Sequence, residues 1–340
     1  MRKLNVLITG STGYMGVQLV SLLYTHPNIN IKYLCGKTSV GKKISVYDKK
    51  LRNKKLPKIV KFNKNYLKNV DIIFSALPNG EAQLLSKHLL PSNILIDLAA
   101  DFRLNDPNDY KKWYKINHQA KKNIPNSIYA LPELSKKYLK NYKIIACPGC
   151  YPTSILLPLI PLLKNNLISE KNIIIDSKSG FSGAGRGVHK KYAKKNLYDS
   201  LSAYGVGFHR HNSEIEQEFK KVCKKKVEFN FTPHLAPMFK GILSSIYLNI
   251  PKRMNAKKIY QNLKKFYKSM HFIKFAKFNS TISTNDVIDT NNCLISICKS
   301  KYKDKIIVLS AIDNLIKGGS GQGVQNMNII YNFPETRGLV

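Results

Sequence analysis

The stretch Leu4-Asn5-Val6-Leu7-Ile8-Thr9-Gly10-Ser11-Thr12-Gly13-Tyr14-Met15-Gly16 decides how the chain is read. Lys3–Ile8 is a short apolar run of strand length, and Val17–Tyr24 carries Val17, Leu19, Val20, Leu22 and Leu23 at helical spacing. Between them, glycines stand in the order G-x-x-G-x-x-G. A strand, a glycine turn and a helix form the context in which such glycines let a pyrophosphate approach a helix N-terminus. The next strand-like run, Asn30–Cys35, sharpens the reading. Sites for NAD place Asp or Glu near the end of this strand, where it holds the ribose 2′-hydroxyl. Here the chain continues Gly36-Lys37-Thr38-Ser39-Val40-Gly41-Lys42-Lys43, without an acid. Lys37, Thr38, Ser39 and Lys42 offer cations and hydroxyls to a 2′-phosphate, so the expected cofactor is NADP(H).

Further along, Val70–Leu77 and Ile94–Ala99 are continuous apolar runs separated by a helix-like Glu81–Leu90, and Ile144–Cys147 gives one more strand. Strand-helix alternation with apolar strands marks a parallel sheet covered on both faces. From about Ser154 the pattern changes. Longer, more alternating strands fall at Asn172–Ser177, Val227–Thr232, Leu243–Ile250, Leu294–Lys299 and Lys305–Ile312, with helices at Glu214–Val222 and Ala256–Met270. The expected fold is α/β: a Rossmann-type dinucleotide-binding domain plus an α+β catalytic domain on a mostly antiparallel sheet. The expected boundaries are 1–149 for the first domain and 150–313 for the second, which also serves dimerisation. The tail is helical over Asn314–Tyr331, and a C-terminal helix within 314–340 completes the first domain.

Charge is the loudest feature of the composition. The 340 residues include 56 Lys and Arg against 20 Asp and Glu, a net +36. That balance raises a polyanion-binding protein as a reading. Yet 49 of the cations are Lys and only 7 are Arg, and they are spread along the chain. Lys, Asn, Ile and Tyr are the residues of A/T-rich codons, whereas nucleic-acid readers favour Arg. The charge therefore reads as solvated faces, with no specific nucleic-acid partner. Against that background the rare arginines stand out as forks for carboxylate or phosphate, above all Arg103, Arg186 and Arg210. No apolar run approaches the ~20 residues of a membrane span. The chain also lacks a signal-peptide pattern, so a cytoplasmic enzyme with reduced cysteines is expected.

The chemistry is expected at Cys147-Pro148-Gly149-Cys150-Tyr151-Pro152-Thr153, after a short strand and before the apolar helix-like run Ser154–Leu163. Pro152 suits a first helical turn. Cys150 then stands at a helix N-terminus, where the positive end of the dipole favours a thiolate. Zinc and thioredoxin-type readings of C-x-x-C lack matching ligands or context. Cys35, Cys223, Cys293 and Cys298 read as buried thiols. A nucleophilic cysteine wants an acid/base partner, and Phe208-His209-Arg210-His211-Asn212-Ser213-Glu214 supplies histidines before a helix, with Ser213 as its N-cap. A metal at His209 and His211 would need Glu214 or His234 as a third ligand, and none is expected. Ser179-Gly180-Phe181-Ser182-Gly183-Ala184-Gly185-Arg186-Gly187 reads as an anion cradle after a strand.

These motifs, with Phe231-Thr232-Pro233-His234-Leu235-Ala236-Pro237-Met238-Phe239-Lys240-Gly241 and the run Asp313–Gln325, occur in one order from Asn5 to Thr336. Together they resemble the N-acetyl-γ-glutamyl-phosphate reductases, NADPH-dependent enzymes of arginine biosynthesis. Aspartate-semialdehyde dehydrogenases share the chemistry but carry a different cysteine motif. A lysine-pathway reductase of a carrier-bound acyl phosphate would share these motifs.

The resemblance implies Cys150 as nucleophile and His211 as acid/base, with His209 beside it at the substrate. It implies Gly10, Ser11, Thr12, Gly13 and Gly16 at the pyrophosphate and Thr38 and Ser39 at the 2′-phosphate. Ser182, Gly183 and Gly185 fall near the nicotinamide, as does Asn314 with Gly318. Arg103, Arg186 and Arg210 would meet the anionic groups of an acyl-phosphate substrate, and phosphate would leave. The family also implies a homo-oligomer, a dimer or tetramer. Where the family has a small non-thiol residue this chain has Cys147, which reads either as a redox partner for Cys150 or as strand-end packing.

Overall fold

The computed structural model describes residues 3–186 and 198–339. Gly187 of the glycine-rich loop lies outside the described residues. The chain divides into two compact units, one of Met1–Pro148 with Gly319–Val340 and one of Gly149–Gly318.

The first unit is a seven-stranded sheet in which every pairing is parallel. Its strands are β1 (Leu4–Thr9), β2 (Ile29–Cys35), β3 (Ile59–Val60), β4 (Ile72–Ser75), β5 (Ile94–Asp97), β6 (Ser127–Tyr129) and β7 (Ile144–Ala146), ordered β3-β2-β1-β4-β5-β7-β6. The order reverses direction between β1 and β4, the switch point where open α/β sheets bind ligands. One face packs Val6, Ile8, Phe74 and Ile96 with helices α1 (Tyr14–Tyr24) and, from the tail, Gly321–Ile330. The other packs Leu7, Ile73 and Leu95 against Leu85 of α2 (Glu81–Ser86) and Phe102. Burial on both faces is why these strands read as unbroken apolar runs. The remaining helices of this unit are α3 (Pro107–Tyr114) and α4 (Pro132–Ser135).

α2 stops at Ser86 instead of Leu90, because Asn93 takes over the backbone there. Its Oδ1 accepts from the Leu90 N–H, and its Nδ2 donates to the Leu67 and Val70 carbonyls. The two-residue β3 and three-residue β6 are too short to show a period in sequence.

The second unit begins with α5 (Cys150–Lys164), whose residues Tyr151–Leu163 are all buried. Pro158 and Pro161 cannot donate to the helix. The Leu157 carbonyl, four residues before Pro161, accepts the Tyr267 hydroxyl at 2.6 Å instead. Seven strands follow: β8 (Ile173–Gly180), β9 (Ser202–Ala203), β10 (Phe229–Ala236), β11 (Ile242–Asn249), β12 (Ile273–Phe275), β13 (Cys293–Lys299) and β14 (Lys305–Ile312). Their order is β12-β13-β14-β11-β8-β10-β9, with β8–β10 and β12–β13 parallel and the other pairings antiparallel. Helices α6 (His211–Val222) and α7 (Ala256–Phe266) are its other α-helices among the described residues.

The tail is not one helix. A π-helical turn, Ile316–Ser320, precedes α8 (Gly321–Ile330), and the chain passes between units at Gly318–Gly319. Among the described residues, no helix is long and apolar enough to cross a membrane.

Candidate active site

Cys150 is the first residue of α5, and Gly149 is its N-cap in extended conformation. The Gly149 N–H donates to Glu214 Oε2 at 2.9 Å, and its carbonyl accepts from the Thr153 N–H and hydroxyl. Both sides of this peptide position are thereby pinned. His211 lies directly on it: a Cβ on Gly149 would stand 2.5 Å from His211 Nε2. Gly318 closes in equally, since a Cβ there would stand 2.7 Å from the Cys150 Cβ. Cys150 itself is partly exposed.

The histidine segment differs from expectation in one respect. α6 starts at His211, so Ser213 is inside its first turn, donating its hydroxyl to the Arg210 carbonyl at 2.6 Å, and is not the N-cap. The earlier start puts His211 and Glu214 one turn apart on one helix face, with His211 Nε2 3.7 Å from Glu214 Oε1. Glu214 entered the sequence reading only as a metal ligand. Its fully buried carboxylate instead ties the nucleophile's cap to the histidine. Spacing of three from His211 was the available signal.

His209 is placed behind His211 and accepts the His211 N–H on Nδ1 at 3.2 Å. Burial, aided by the charge of Arg210, pushes its pKa down to about 4, which keeps that nitrogen available as an acceptor. Rings of Tyr151, Tyr204 and Phe231 surround it. Its Nδ1 thus orients the neighbouring histidine, while the ring remains partly exposed. His234 pairs with Asp176 at 3.1 Å. Among the described residues, no three His, Cys, Asp or Glu side chains converge as a metal site.

The structure brings Ser182, Gly183 and Asn314 together. Asn314 Nδ2 donates to Ser182 Oγ at 3.0 Å, and its Oδ1 accepts the Gly241 N–H at 2.7 Å. Gly183 lies beside the same amide. Asn314 thus fastens the loop that follows β8. Arg186 and Arg210 are exposed.

In the first unit the glycine turn is sterically obligatory at two positions. Gly10 has φ +67°, and a Cβ there would lie 2.2 Å from the Ala76 carbonyl oxygen. On Gly16 it would lie 2.2 Å from the Gly10 carbonyl oxygen. Gly13 is the N-cap of α1, with no side-chain cap and no acid in the first turn, so the helix field remains available to an anion. A cavity of about 680 Å³ opens beside this turn, lined by Gly10, Thr12, Lys37, Thr38, Lys61 and Glu81 among others. That volume suits a nucleotide.

Ser11 and Ser39, both expected at the cofactor, also tie the turn and the segment after β2 into the unit. Ser11 is buried and donates both its N–H and its hydroxyl to the Cys35 carbonyl, joining the turn to β2. Ser39 is buried with its hydroxyl against that of Tyr47. Lys61, just after β3, was not legible as a site residue, because β2–β3 pairing alone carries it to the cavity. An acid also arrives from afar: Glu81, in the first turn of α2, pairs with Lys37 at 2.6 Å.

A family model described as "Semialdehyde dehydrogenase, NAD binding domain" matches residues 5–142, and one described as "Semialdehyde dehydrogenase, dimerisation domain" matches residues 150–314. The N-acetyl-gamma-glutamyl-phosphate reductase of Desulforamulus reducens is 41% identical over 98% of this chain and 96% of its own. The chain belongs to the N-acetyl-gamma-glutamyl-phosphate reductases. A probable chloroplastic member from Arabidopsis thaliana is 39% identical over 98% of this chain and 83% of its own. The solved aspartate semialdehyde dehydrogenase II of Vibrio cholerae shares the fold, with a TM-score of 0.73 at 17% identity over 98% of this chain and 99% of that one.

In this family member Arg103 is buried, donating from Nε to the Cys147 carbonyl at 2.8 Å and from Nη2 to the Leu98 carbonyl at 2.9 Å. Cys147 is fully buried, accepts from Asn326 Nδ2, and has a thiol that burial pushes up to about 12. A thiol held protonated in this way is slow in disulfide exchange, which favours the packing reading.

Proposed function

We propose that this protein reduces N-acetyl-L-glutamyl 5-phosphate to N-acetyl-L-glutamate 5-semialdehyde with release of phosphate, using NADPH. The observation that carries the reading is Cys150 in the first turn of α5 with His211 and Glu214 packed on its cap residue. His211 takes the thiol proton, with Glu214 orienting the ring. The thiolate attacks the acyl-phosphate carbon, the carbon–oxygen bond to phosphate breaks, and a thioester forms on Cys150. Backbone N–H groups at the start of α5 stabilise the oxyanion formed on the way. When bound, NADPH supplies the hydride. The resulting alkoxide expels the Cys150 thiolate, held by protonated His211, and the semialdehyde leaves.

The cavity beside Gly10 fits the adenosine half of the cofactor, with Lys37, Thr38 and Lys61 at the 2′-phosphate. Arg186 and Arg210 are the exposed arginines proposed for the substrate's anionic groups. Arg103, which donates to the Cys147 and Leu98 carbonyls, is the third arginine proposed for the substrate's anionic groups.

A homo-oligomer is proposed on a second observation. Ile174 and Tyr247 are paired across β8 and β11 and are 49% and 44% exposed, with Ile307 beside them on β14. This apolar row on the open face of the sheet is proposed to meet a second copy. The activity is tested in reverse, with N-acetylglutamate semialdehyde, phosphate and NADP, by following NADPH absorbance. Cys150→Ala should abolish the signal, and a variant with full activity overturns the scheme.

A further inference from the structure

Two side chains of these motifs have no part in the chemistry so far: Lys240, near the end of Phe231–Gly241, and Asp313, which opens Asp313–Gln325. Asp313 is fully buried. Its Oδ1 accepts the N–H groups of Leu315 at 2.9 Å and Ile316 at 3.1 Å, and its Oδ2 accepts that of Asp289 at 3.0 Å. Its backbone carbonyl accepts the Gly318 N–H at 2.9 Å, the i to i−5 bond of the π-turn Ile316–Ser320. Asp313 therefore holds the first half of the turn, its side chain at Leu315 and Ile316 and its backbone at Gly318.

A buried carboxylate needs a counter-charge. Lys240 brings one, its Nζ lying 3.5 Å from Asp313 Oδ2 while also pairing with the exposed Asp289. Asp289 has φ +62°, so the turn that carries it is kept in a costly conformation by the same carboxylate. π-turns are uncommon and gather at functional sites. The product of this one is the placement of Gly318. A Cβ there would stand 2.7 Å from the Cys150 Cβ, 3.1 Å from its Cα and 3.3 Å from Ile312 Cδ1. The nucleophile is thus confined by the backbone of the π-turn on one side, and its cap residue is confined by His211.

We propose that Asp313 and Lys240 are positioning residues, which hold the π-turn so that Gly318 confines Cys150 in its reactive orientation. Neither side chain touches the reacting atoms in this account. Their effect reaches the thiol through Gly318, so the turn and the nucleophile move together. The proposal rests on Cys150 as the nucleophile, and the experiment separates the two ideas.

The rate of Cys150 alkylation by iodoacetamide is measured with kcat, the NADPH dissociation constant and the melting temperature. Gly318→Ala should slow alkylation at least about tenfold and lower kcat about a hundredfold, as a misplacement of about 1 Å does. The NADPH dissociation constant separates this loss from any change at the nicotinamide, which Gly318 is also expected to approach. Lys240→Met should act in the same direction, and Lys240→Arg should restore kcat to within about threefold, because either cation answers Asp313. A merely structural role would lower the melting temperature without the Arg rescue of alkylation rate.

If Gly318→Ala folds and alkylates at the parent rate, the proposal is overturned, whether or not Cys150 is catalytic. If Cys150→Ala keeps its activity, the nucleophile assignment falls while the alkylation result still judges the turn. Should Gly318→Ala fail to fold, the Lys240 pair decides. Equal alkylation rates in Lys240→Met and Lys240→Arg would refute the inference.

Discussion

Replacing Gly149 by alanine isolates the contact between the nucleophile's cap and His211. The added methyl would stand 2.5 Å from His211 Nε2, 2.7 Å from Cε1 and 2.9 Å from Cδ2. Carbon contacts are comfortable at about 3.5–4.0 Å, so something must yield by about 1 Å. Gly149 is poorly placed to yield, since Glu214 holds its N–H and Thr153 its carbonyl. The imidazole must therefore retreat from the start of α5. A shift of this size costs roughly a hundredfold in rate, or about 2.7 kcal/mol of barrier.

The fold should survive this change, because Gly149 has φ −65° and ψ 157°, which alanine adopts without strain. Overpacking of about 1–3 kcal/mol is partly offset by about 0.4–1 kcal/mol of lost unfolded-state freedom. The assay is kcat in the reverse direction, beside thermal melting, in a double-mutant cycle with His211→Ala. With His211 removed the methyl has room, so Gly149→Ala should then cost almost nothing further. An equal loss in both backgrounds would refute the argument, because the effect would not run through His211.

Asp97 is fully buried, and burial together with the charge of Asp101 raises its pKa to about 7. The folded state then holds a proton that the unfolded chain releases near pH ~4, so this residue lowers stability progressively between about pH 4 and 7. Asp97→Asn should be more stable than the parent above pH ~7, with the gap closing toward pH ~4. A gap in denaturant unfolding that does not vary with pH would contradict this. Lys61→Ala should weaken 2′,5′-ADP binding about tenfold and leave 5′-AMP nearly unchanged. Glu81→Gln, which releases Lys37, should tighten 2′,5′-ADP. Calorimetry showing equal effects on both nucleotides would remove Lys61 from the 2′-phosphate. Tyr247→Lys, in the middle of the open sheet face, should lower the oligomeric state seen by light scattering, and an unchanged mass would count against that interface.

Local pattern alone carried the parallel and mixed sheets and the helix start at Cys150. Continuous apolar runs of strand length, alternating with helices, fit a sheet covered on both sides. Cys150 between Gly149 and Tyr151-Pro152 announces a helix start, because capping and proline rules act within one turn. Residues whose partners are distant in sequence were beyond reach. Glu214 could be seen three residues from His211, but not 65 residues from Gly149, whose N–H it accepts. Lys61 depends on the register of β3 against β2, Glu81 on the turn before α2, and Gly318 on a π-turn that no periodicity reveals. Ser11, Ser39 and His209 carry the right chemistry for a ligand, and the fold adds partners that the sequence does not show: a carbonyl, a tyrosine and a neighbouring histidine. Sequence by itself determined which chemical groups are present and the local geometry of each. Tertiary structure decided which of them meet, because hydrogen bonds and close contacts over tens of residues are set by packing, and packing is not a local property.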